Sequence, residues 1–253
     1  MRPKSEIYEQ WIRPLIAEFF GQLIFAFLHS STGHSNIAGT ALAPAISDGL
    51  TVTILVITIG HISGAHVNFA VTTAVFVGGG IKWMMVPLYL IAQLLGSLAG
   101  AGLAYATNGG ASGAFALGAG VSVGQGILME VILTAMLTLS VVLAAVELNA
   151  DLAALAIGFS ILIDILAGFT VSGGCMNPTL SFGPAVVAGA WTNYWVYWVG
   201  PLLGALFSGI VFRLFLGGKA RLLFRQETSA PTEQGMERIE NGHSTEKSKG
   251  SNM

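Results

Sequence analysis

Charged residues are scarce in this chain of 253 residues. Asp, Glu, Lys and Arg make up 9% of it, whereas 53% of the residues are hydrophobic. Soluble domains carry roughly 25% charged residues, so polar groups could not cover a soluble surface of this size. The net charge of −2 gives no basic footprint for a nucleic-acid partner, and the single cysteine excludes an intrachain disulfide. An integral membrane protein is therefore the expected class.

Long apolar runs take the place of the missing charges. A membrane-spanning helix needs roughly 20 mainly apolar residues, and six such segments are predicted at residues 11–33, 42–63, 83–106, 124–146, 152–171 and 194–216. Two shorter apolar runs, 68–77 and 177–187, are too short to span and too apolar for ordinary loops. They are typical of re-entrant half-helices. We therefore predict an all-α membrane protein with six transmembrane helices and two half-helices.

The basic residues lie on one side of this predicted topology. All eleven Lys and Arg fall in or beside the N-terminal segment, in the loop that contains Lys82, or in the C-terminal region from Arg213 onward. Because cytoplasmic loops carry the excess of Lys and Arg, both termini are predicted to be cytoplasmic. We expect residues 1–10 to form a cytoplasmic N-terminal segment, residues 11–225 the membrane domain, and the polar residues 226–253 a disordered cytoplasmic tail.

One polar phrase occurs twice in this apolar chain, as SGAHVNFAVT at residues 63–72 and as SGGCMNPTLS at residues 172–181. In each half of the sequence, an earlier span carries an interior acidic residue, Glu18 in the first half and Glu130 in the second. Each half contains three spans, so the second half is inverted relative to the first, with repeats at about 11–106 and 124–217. Inverted repeats place the functional site at their shared interface, near the bilayer midplane.

Asn68 and Asn177 begin the two short runs, and Asn is a favoured helix N-cap. The side-chain oxygen of a capping Asn accepts a bond from the first helical turn, which leaves its amide NH₂ free to face outward. Half-helices that meet head to head would also bring together the positive ends of their dipoles, so the pair would bind a water or hydroxyl oxygen and repel cations. Pro178 suits the first helical position. Phe69 lacks the preset φ of proline, which is expected to cost a little local rigidity.

These features resemble the aquaporin (major intrinsic protein) family from about residue 11 to residue 225. The resemblance rests on AEFFGQLIFAF, GHISGAHVNFAVT, AQLLGS, SGGCMNPTLSFGPAVV and WVYWVGPLLGA, and it points to the branch that includes animal aquaporin-8 and the plant tonoplast intrinsic proteins. It implies the aquaporin fold, with a right-handed bundle, one pore per subunit and a homotetramer. The paired Asn-Pro-Ala motifs of the family fall here on Asn68, Phe69 and Ala70 and on Asn177, Pro178 and Thr179.

The resemblance also places the four positions of the family's outer constriction, the selectivity filter, on Asp48, Ile165, Gly174 and Leu180. Most water-selective members have Arg in place of Leu180 and an aromatic residue or His in place of Asp48, although some tonoplast members also lack the Arg. The glycerol-conducting branch typically has Arg-Asp after its second motif, and Leu180 and Ser181 argue against that branch. No basic residue in the predicted outer loops or adjoining helix ends is expected to pair with the Asp48 carboxylate.

Four further residues near the motifs have two interpretations each. Glu18 and Glu130 could relay protons, but the resemblance implies that they brace the re-entrant loops by accepting backbone N–H bonds. His66 could be a pH gate, although a buried histidine bonded to backbone is the simpler interpretation. Cys175 could be a reactive thiol, but no base motif accompanies it. A small residue beside the pore mouth is the better interpretation of Cys175.

Metal and cofactor chemistry is not indicated. His29, His34 and His61 show no metal-ligand spacing, so neither a metal nor a cofactor is predicted.

Together these features predict a passive channel for water and small neutral solutes, in the plasma membrane or an intracellular membrane. Ammonia, hydrogen peroxide and urea are the candidate solutes beside water. Two alternatives stay open. An ion or proton channel could use the same scaffold, since the filter has lost an Arg and gained Asp48, and a structural membrane protein could keep the pore closed. No nucleophile paired with a base indicates an enzyme.

Overall fold

The computed structural model describes residues 4–34, 40–148 and 152–218, and within those residues it contains helices and loops but no strand. The predicted tail, 226–253, lies outside the described residues. The α-helices are Lys4–Ile7 (α1), Arg13–Gly33 (α2), Leu42–Ser63 (α3), Phe69–Val77 (α4), Met85–Asn108 (α5), Val123–Ser140 (α6), Ala153–Gly168 (α7), Pro178–Ala188 (α8) and Val196–Val211 (α9). Three π-helical segments continue them: Tyr8–Ile12 joins α1 to α2, Val141–Glu147 extends α6, and Phe212–Leu216 extends α9.

Each predicted span and each predicted half-helix is occupied by a helix. In the described part of the chain, five helical stretches are long and apolar enough to cross a membrane: Ser5–Gly33, Leu42–Ser63, Met85–Asn108, Val123–Glu147 and Val196–Leu216. The first is helical from well before residue 11. In the remaining predicted span, 152–171, α7 has only 16 residues. At 1.5 Å per residue, α7 is about 24 Å long, because the chain leaves the helix after Gly168 and enters the second re-entrant loop.

The long helices pack in pairs that follow the sequence repeat. α2 packs along α5, and their counterparts α6 and α9 pack along each other, while α3 packs against its own counterpart α7. Each half-helix crosses to the other half of the molecule, so that α8 packs against α5 and α4 packs against α9. The fold is therefore an inverted repeat of three spans and one half-helix, as the sequence predicted.

Glycine allows the long helices of each pair to come close. Gly96 on α5 lies against the Phe19 carbonyl of α2, and Gly204 on α9 lies against the Val131 carbonyl of α6. A Cβ atom at either glycine would collide with that carbonyl oxygen. Small residues let helix backbones approach in membranes, where packing rather than water exclusion drives association.

Polar side chains are buried and large apolar ones face outward. Glu18, Gln93 and Glu130 are fully buried, whereas Ile54 and Leu128 are 59% and 60% exposed. Soluble proteins show the opposite distribution, since Glu is almost never fully buried there without a partner. The outer surface of this bundle therefore suits contact with lipid, and its polar interior holds the functional site.

Replacing Gly100 by Val is expected to destabilise the bundle. Gly100 on α5 lies against the Leu23 carbonyl and the Phe27 amide of α2, so a larger side chain forces the two helices apart at a cost of about 1–3 kcal/mol. Gly102 has no atom within 4 Å of where its Cβ would stand, so Gly102→Val is the matched control. The fraction of detergent-purified protein that stays monodisperse through a heating series measures the difference. Equal stability of the two variants would contradict this packing.

Candidate functional site

The two half-helices begin at the paired asparagines, which cap them in the same way. Asn68 Oδ1 accepts from the backbone N–H of Ala70 at 2.8 Å and of Val71 at 3.4 Å. Asn177 Oδ1 accepts from the N–H of Thr179 at 3.1 Å and of Leu180 at 3.0 Å. Asn is favoured at this position because its side-chain oxygen satisfies N–H groups that have no partner within the helix.

The asparagine amides also join the two halves of the molecule. Asn68 Nδ2 donates to the Met176 carbonyl oxygen at 2.9 Å, and Asn177 Nδ2 donates to the Val67 carbonyl oxygen at 2.8 Å. The sequence predicts a free NH₂ group on each asparagine, and this prediction is half right. One N–H of each amide is used in the cross-link, and since a primary amide has two, one N–H per asparagine lies outside it.

The loops that lead into the half-helices have the same unusual backbone. Positive φ angles occur at Gly64, Ala65 and Val67 (86°, 47° and 37°) and at the equivalent Gly173, Gly174 and Met176 (86°, 67° and 52°). Glycine adopts such angles freely, but they are unfavourable for Ala and Met and rare for a β-branched residue such as Val. The loops are therefore strained and need an external restraint.

Two buried carboxylates supply that restraint. Glu18 Oε1 accepts from the Ser63 hydroxyl at 2.6 Å and the His66 N–H at 2.9 Å, and its Oε2 accepts from the Val67 N–H at 2.8 Å. Glu130 makes the same three kinds of bond in the second half, to Ser172, Cys175 and Met176, at 2.6, 2.9 and 2.7 Å. With their oxygens occupied in this way, both carboxylates have the geometry of braces rather than of proton relays.

Gln93 is a site residue that the sequence analysis missed. It is fully buried on α5, and its Nε2 donates to Glu18 Oε2 at 2.8 Å and to Thr72 Oγ1 at 3.2 Å. The signal was a lone amide in the apolar run AQLLGS, because an intramembrane polar side chain calls for a partner.

A narrow cavity of about 40 Å³ runs past the asparagines. All four residues expected to form the filter line it, namely Asp48, Ile165, Gly174 and Leu180, together with Asn68 and Asn177. The remaining lining is mainly aliphatic: Val52, Val56, Val71, Leu137, Val141, Ile157 and Ile161. The cavity therefore has polar groups at a few points on a water-repelling wall.

Asp48 has a partner, contrary to expectation. His29 Nδ1 lies 2.8 Å from Asp48 Oδ2, and His29 Nε2 lies 3.0 Å from the Gly113 carbonyl oxygen. The expectation was wrong because it considered Lys and Arg in the outer loops and overlooked a histidine inside the first span. The signal was available in the sequence, since His29 and Asp48 are near the facing ends of two consecutive, antiparallel spans.

The remaining candidate residues are His66, Cys175, His34 and His61. His66 Nδ1 lies 3.1 Å from the Thr72 hydroxyl, so its partner is a side chain and not the backbone. Cys175 is buried, lines the cavity, and donates from Sγ to the Asn177 carbonyl oxygen at 3.2 Å. His34 and His61 are exposed, and the described residues contain no cluster of ligands suited to a metal ion.

Comparison with known proteins places this arrangement in a family. The model of the family described as "Major intrinsic protein" matches residues 6–212. The chain belongs to this family, the aquaporins. Aquaporin-8 of Notomys alexis is 44% identical over 229 residues, which cover 86% of this chain and 88% of the relative. Aquaporin TIP1-2 of Zea mays is 42% identical over 218 residues, which cover 81% and 86%.

A solved aquaporin-family structure shows the same fold. The aquaglyceroporin from Plasmodium falciparum aligns with a TM-score of 0.69 over 79% of this chain and 95% of that chain, at 23% identity. The predicted family and fold class are confirmed. The prediction that the protein is not an enzyme is also confirmed, because members of the aquaporin family are channels.

Phe69→Pro is expected to fold and to become more stable by about 0.4–1 kcal/mol, since Pro restricts the unfolded chain. Asn68, the preceding residue, already has the extended conformation (φ −164°, ψ 124°) that a following Pro requires. Within the described residues, the Phe69 N–H donates no hydrogen bond that Pro would remove. Thermal unfolding and vesicle water permeability measure the effect.

The reverse exchange at the other aquaporin motif, Pro178→Phe, is the matched control and should lose stability. Failure of Phe69→Pro to fold would mean that the aromatic ring, and not the backbone, decides this position.

Proposed function

We propose that the protein is a passive channel for water and small neutral solutes and that these pass between Asn68 and Asn177. The observation that carries the proposal is the pair of amides at the meeting point of two half-helices, inside a cavity with aliphatic walls. Each amide has one N–H available after its cross-link, so a solute oxygen or nitrogen lone pair can accept from it. Elsewhere the wall offers few hydrogen bonds and does not hold the solute.

Cations are opposed at the same place. The N-termini of α4 and α8 each carry roughly half a positive charge, and the two meet at the asparagines. The alternative of an ion channel rested on two changes in the filter, the loss of an Arg and the gain of Asp48. With His29 at 2.8 Å from the Asp48 carboxylate, the second of these reasons is weakened.

The filter supports solutes somewhat larger than water. Gly174 contributes no side chain, and Leu180 stands where an Arg would narrow the passage. Gly174 is also fixed as glycine, since its φ is 67° and a Cβ would lie 3.0 Å from the Ile165 Cα. We therefore extend the proposal to ammonia, hydrogen peroxide and urea.

We also propose the bounds of the channel domain, its orientation in the membrane and its oligomeric state. Residues 11–225 would form the channel domain. Both termini would lie in the cytoplasm, because cytoplasmic loops carry the excess of Lys and Arg and all the Lys and Arg fall on the side of the termini. The apolar outer surface of the bundle is suited to neighbours as well as to lipid, and we propose the homotetramer that the family resemblance implies.

The test is to reconstitute the purified protein in vesicles and to measure water and urea flux by light scattering, with electrical current recorded in parallel. We expect both fluxes to exceed those of protein-free vesicles and the current to equal theirs. A large cation current would favour the ion channel. The absence of flux from correctly assembled protein would favour the structural membrane protein.

Leu180→Arg is expected to reduce urea permeability about tenfold, a size typical of steric discrimination in an apolar site, and to reduce water permeability less. The guanidinium would narrow the constriction opposite Asp48. Leu180→Met, similar in volume and uncharged, is the matched control and should keep the wild-type ratio of urea to water. An unchanged ratio in Leu180→Arg would show that this side chain does not line the path.

A further inference from the structure

We infer that His29 and Asp48 share one proton and together present an uncharged hydrogen-bond acceptor to solutes at the outer constriction. His29 is the positioning residue of the pair. The inference rests on the channel function proposed above and deepens it, because it gives His29, which lies in none of the quoted motifs, a part in solute specificity.

The hydrogen bonds of His29 determine where its protons lie. Nε2 lies 3.0 Å from the Gly113 carbonyl oxygen, which can only accept, so Nε2 carries a hydrogen. Nδ1 lies 2.8 Å from Asp48 Oδ2, and a hydrogen bond between these atoms needs one proton. The pair is therefore either imidazolium with carboxylate or imidazole with carboxylic acid. Its net charge is zero in both forms.

The histidine ring is held in place on two sides. Its nitrogens are both bonded, and its face stacks on Phe115 with a centroid separation of 4.8 Å and an interplanar angle of 17°. A fixed ring fixes the Asp48 oxygen that it binds, and thereby the orientation of the other oxygen. Asp48 Oδ1 is buried and accepts no hydrogen bond from any described residue. Asp48 lines the cavity, and Oδ1 is the oxygen of the pair whose acceptor capacity the described residues leave unused.

No other positive group competes for Asp48 in the described parts of the elements around it. His29 on α2 contacts Asp48, Cys175 in the second re-entrant loop interacts with it electrostatically, and α7, which packs against α3, carries one ionisable side chain, Asp164. Cys175 and Asp164 can only be neutral or negative. Loss of the shared proton would leave a buried carboxylate without a counter-charge, and a second proton would leave a buried imidazolium without one. Either change would leave an unpaired charge in the protein interior, and this cost favours the arrangement with one shared proton.

A solute then meets opposite hydrogen-bonding groups at two levels of the pore. At the outer level Asp48 accepts, and at the centre Asn68 and Asn177 donate. Water, urea and ammonia carry both N–H or O–H donors and a lone pair, so they are matched to both levels. The Arg that most water-selective relatives have at the position of Leu180 would offer donors at the outer level. This filter therefore selects for solutes that donate.

The pair is tested by urea and water flux, with current in parallel, in reconstituted vesicles at external pH values between about 6 and 8. Wild-type flux should change little over this range. His29→Phe keeps a ring for Phe115 but leaves Asp48 as a lone carboxylate, so urea flux should vary with pH by about fivefold, the effect of one hydrogen bond. A cation current should appear as the pH rises. The double variant His29→Phe/Asp48→Asn removes the lone carboxylate and should restore a flat profile.

Four further variants make the result specific. His34→Phe changes an exposed histidine on the same outer side and should keep the wild-type profile. His29→Gln can still donate to Asp48 and should vary with pH less than His29→Phe does. Asp48→Asn can donate to His29 Nδ1 and turn its carbonyl oxygen to the pore, so it should pass urea faster than Asp48→Leu, which has the same number of side-chain heavy atoms and no acceptor.

The two proposals fail in different ways. A flat profile in His29→Phe, or a pH response that persists in the double variant, would overturn the proton-sharing pair while water flux stays intact. Equal urea flux in Asp48→Asn and Asp48→Leu would overturn the acceptor role. Absence of water flux in wild type would instead overturn the channel function itself.

Discussion

The loops that carry the two asparagines have backbone angles that residues other than glycine disfavour, and Glu18 and Glu130 hold them there. Each carboxylate gathers a serine hydroxyl and two backbone N–H groups into one cluster. A buried carboxylate is costly unless such bonds satisfy it, so brace and loop depend on each other. The position of the half-helices, and with it the spacing of the pore amides, follows from this mutual dependence.

The pore that results is defined by the few atoms able to form hydrogen bonds and by their order. Aliphatic side chains make up most of the wall, so in the proposed channel a solute would exchange most of its water partners for protein partners at Asp48 and at the asparagines. Too many polar groups would hold the solute, and too few would leave its desolvation uncompensated. The distribution seen here gives weak binding at separate points, which conduction requires.

Much of this organisation could be predicted from the sequence, because membranes impose strict rules on length and charge. The spans, the half-helices and the inverted repeat follow from apolar run length and from the doubled Ser-Gly phrase. The Asn cross-links did not follow, and for Asp48 and Gln93 the sequence signalled a partner without fixing the contact. These are contacts between distant segments, and they depend on how far helices slide and rotate in packing, which side-chain period alone does not determine. α7 was likewise predicted too long, since hydropathy continues through Phe169 and Val171 although the helix has ended.

The bonds from Asn68 to Met176 and from Asn177 to Val67 tie the inverted halves together at their centre. Many transporters built from inverted repeats work by rocking one half against the other around a central site. Here these two hydrogen bonds join the halves at their centre, so rocking one half against the other would break both bonds. A protein fastened in this way is not expected to alternate between inward-open and outward-open states to which metabolic energy or an ion gradient could be coupled. In the channel proposed above, a solute would then only run down its own concentration gradient, at a speed set by the bore and in whichever direction the two compartments dictate.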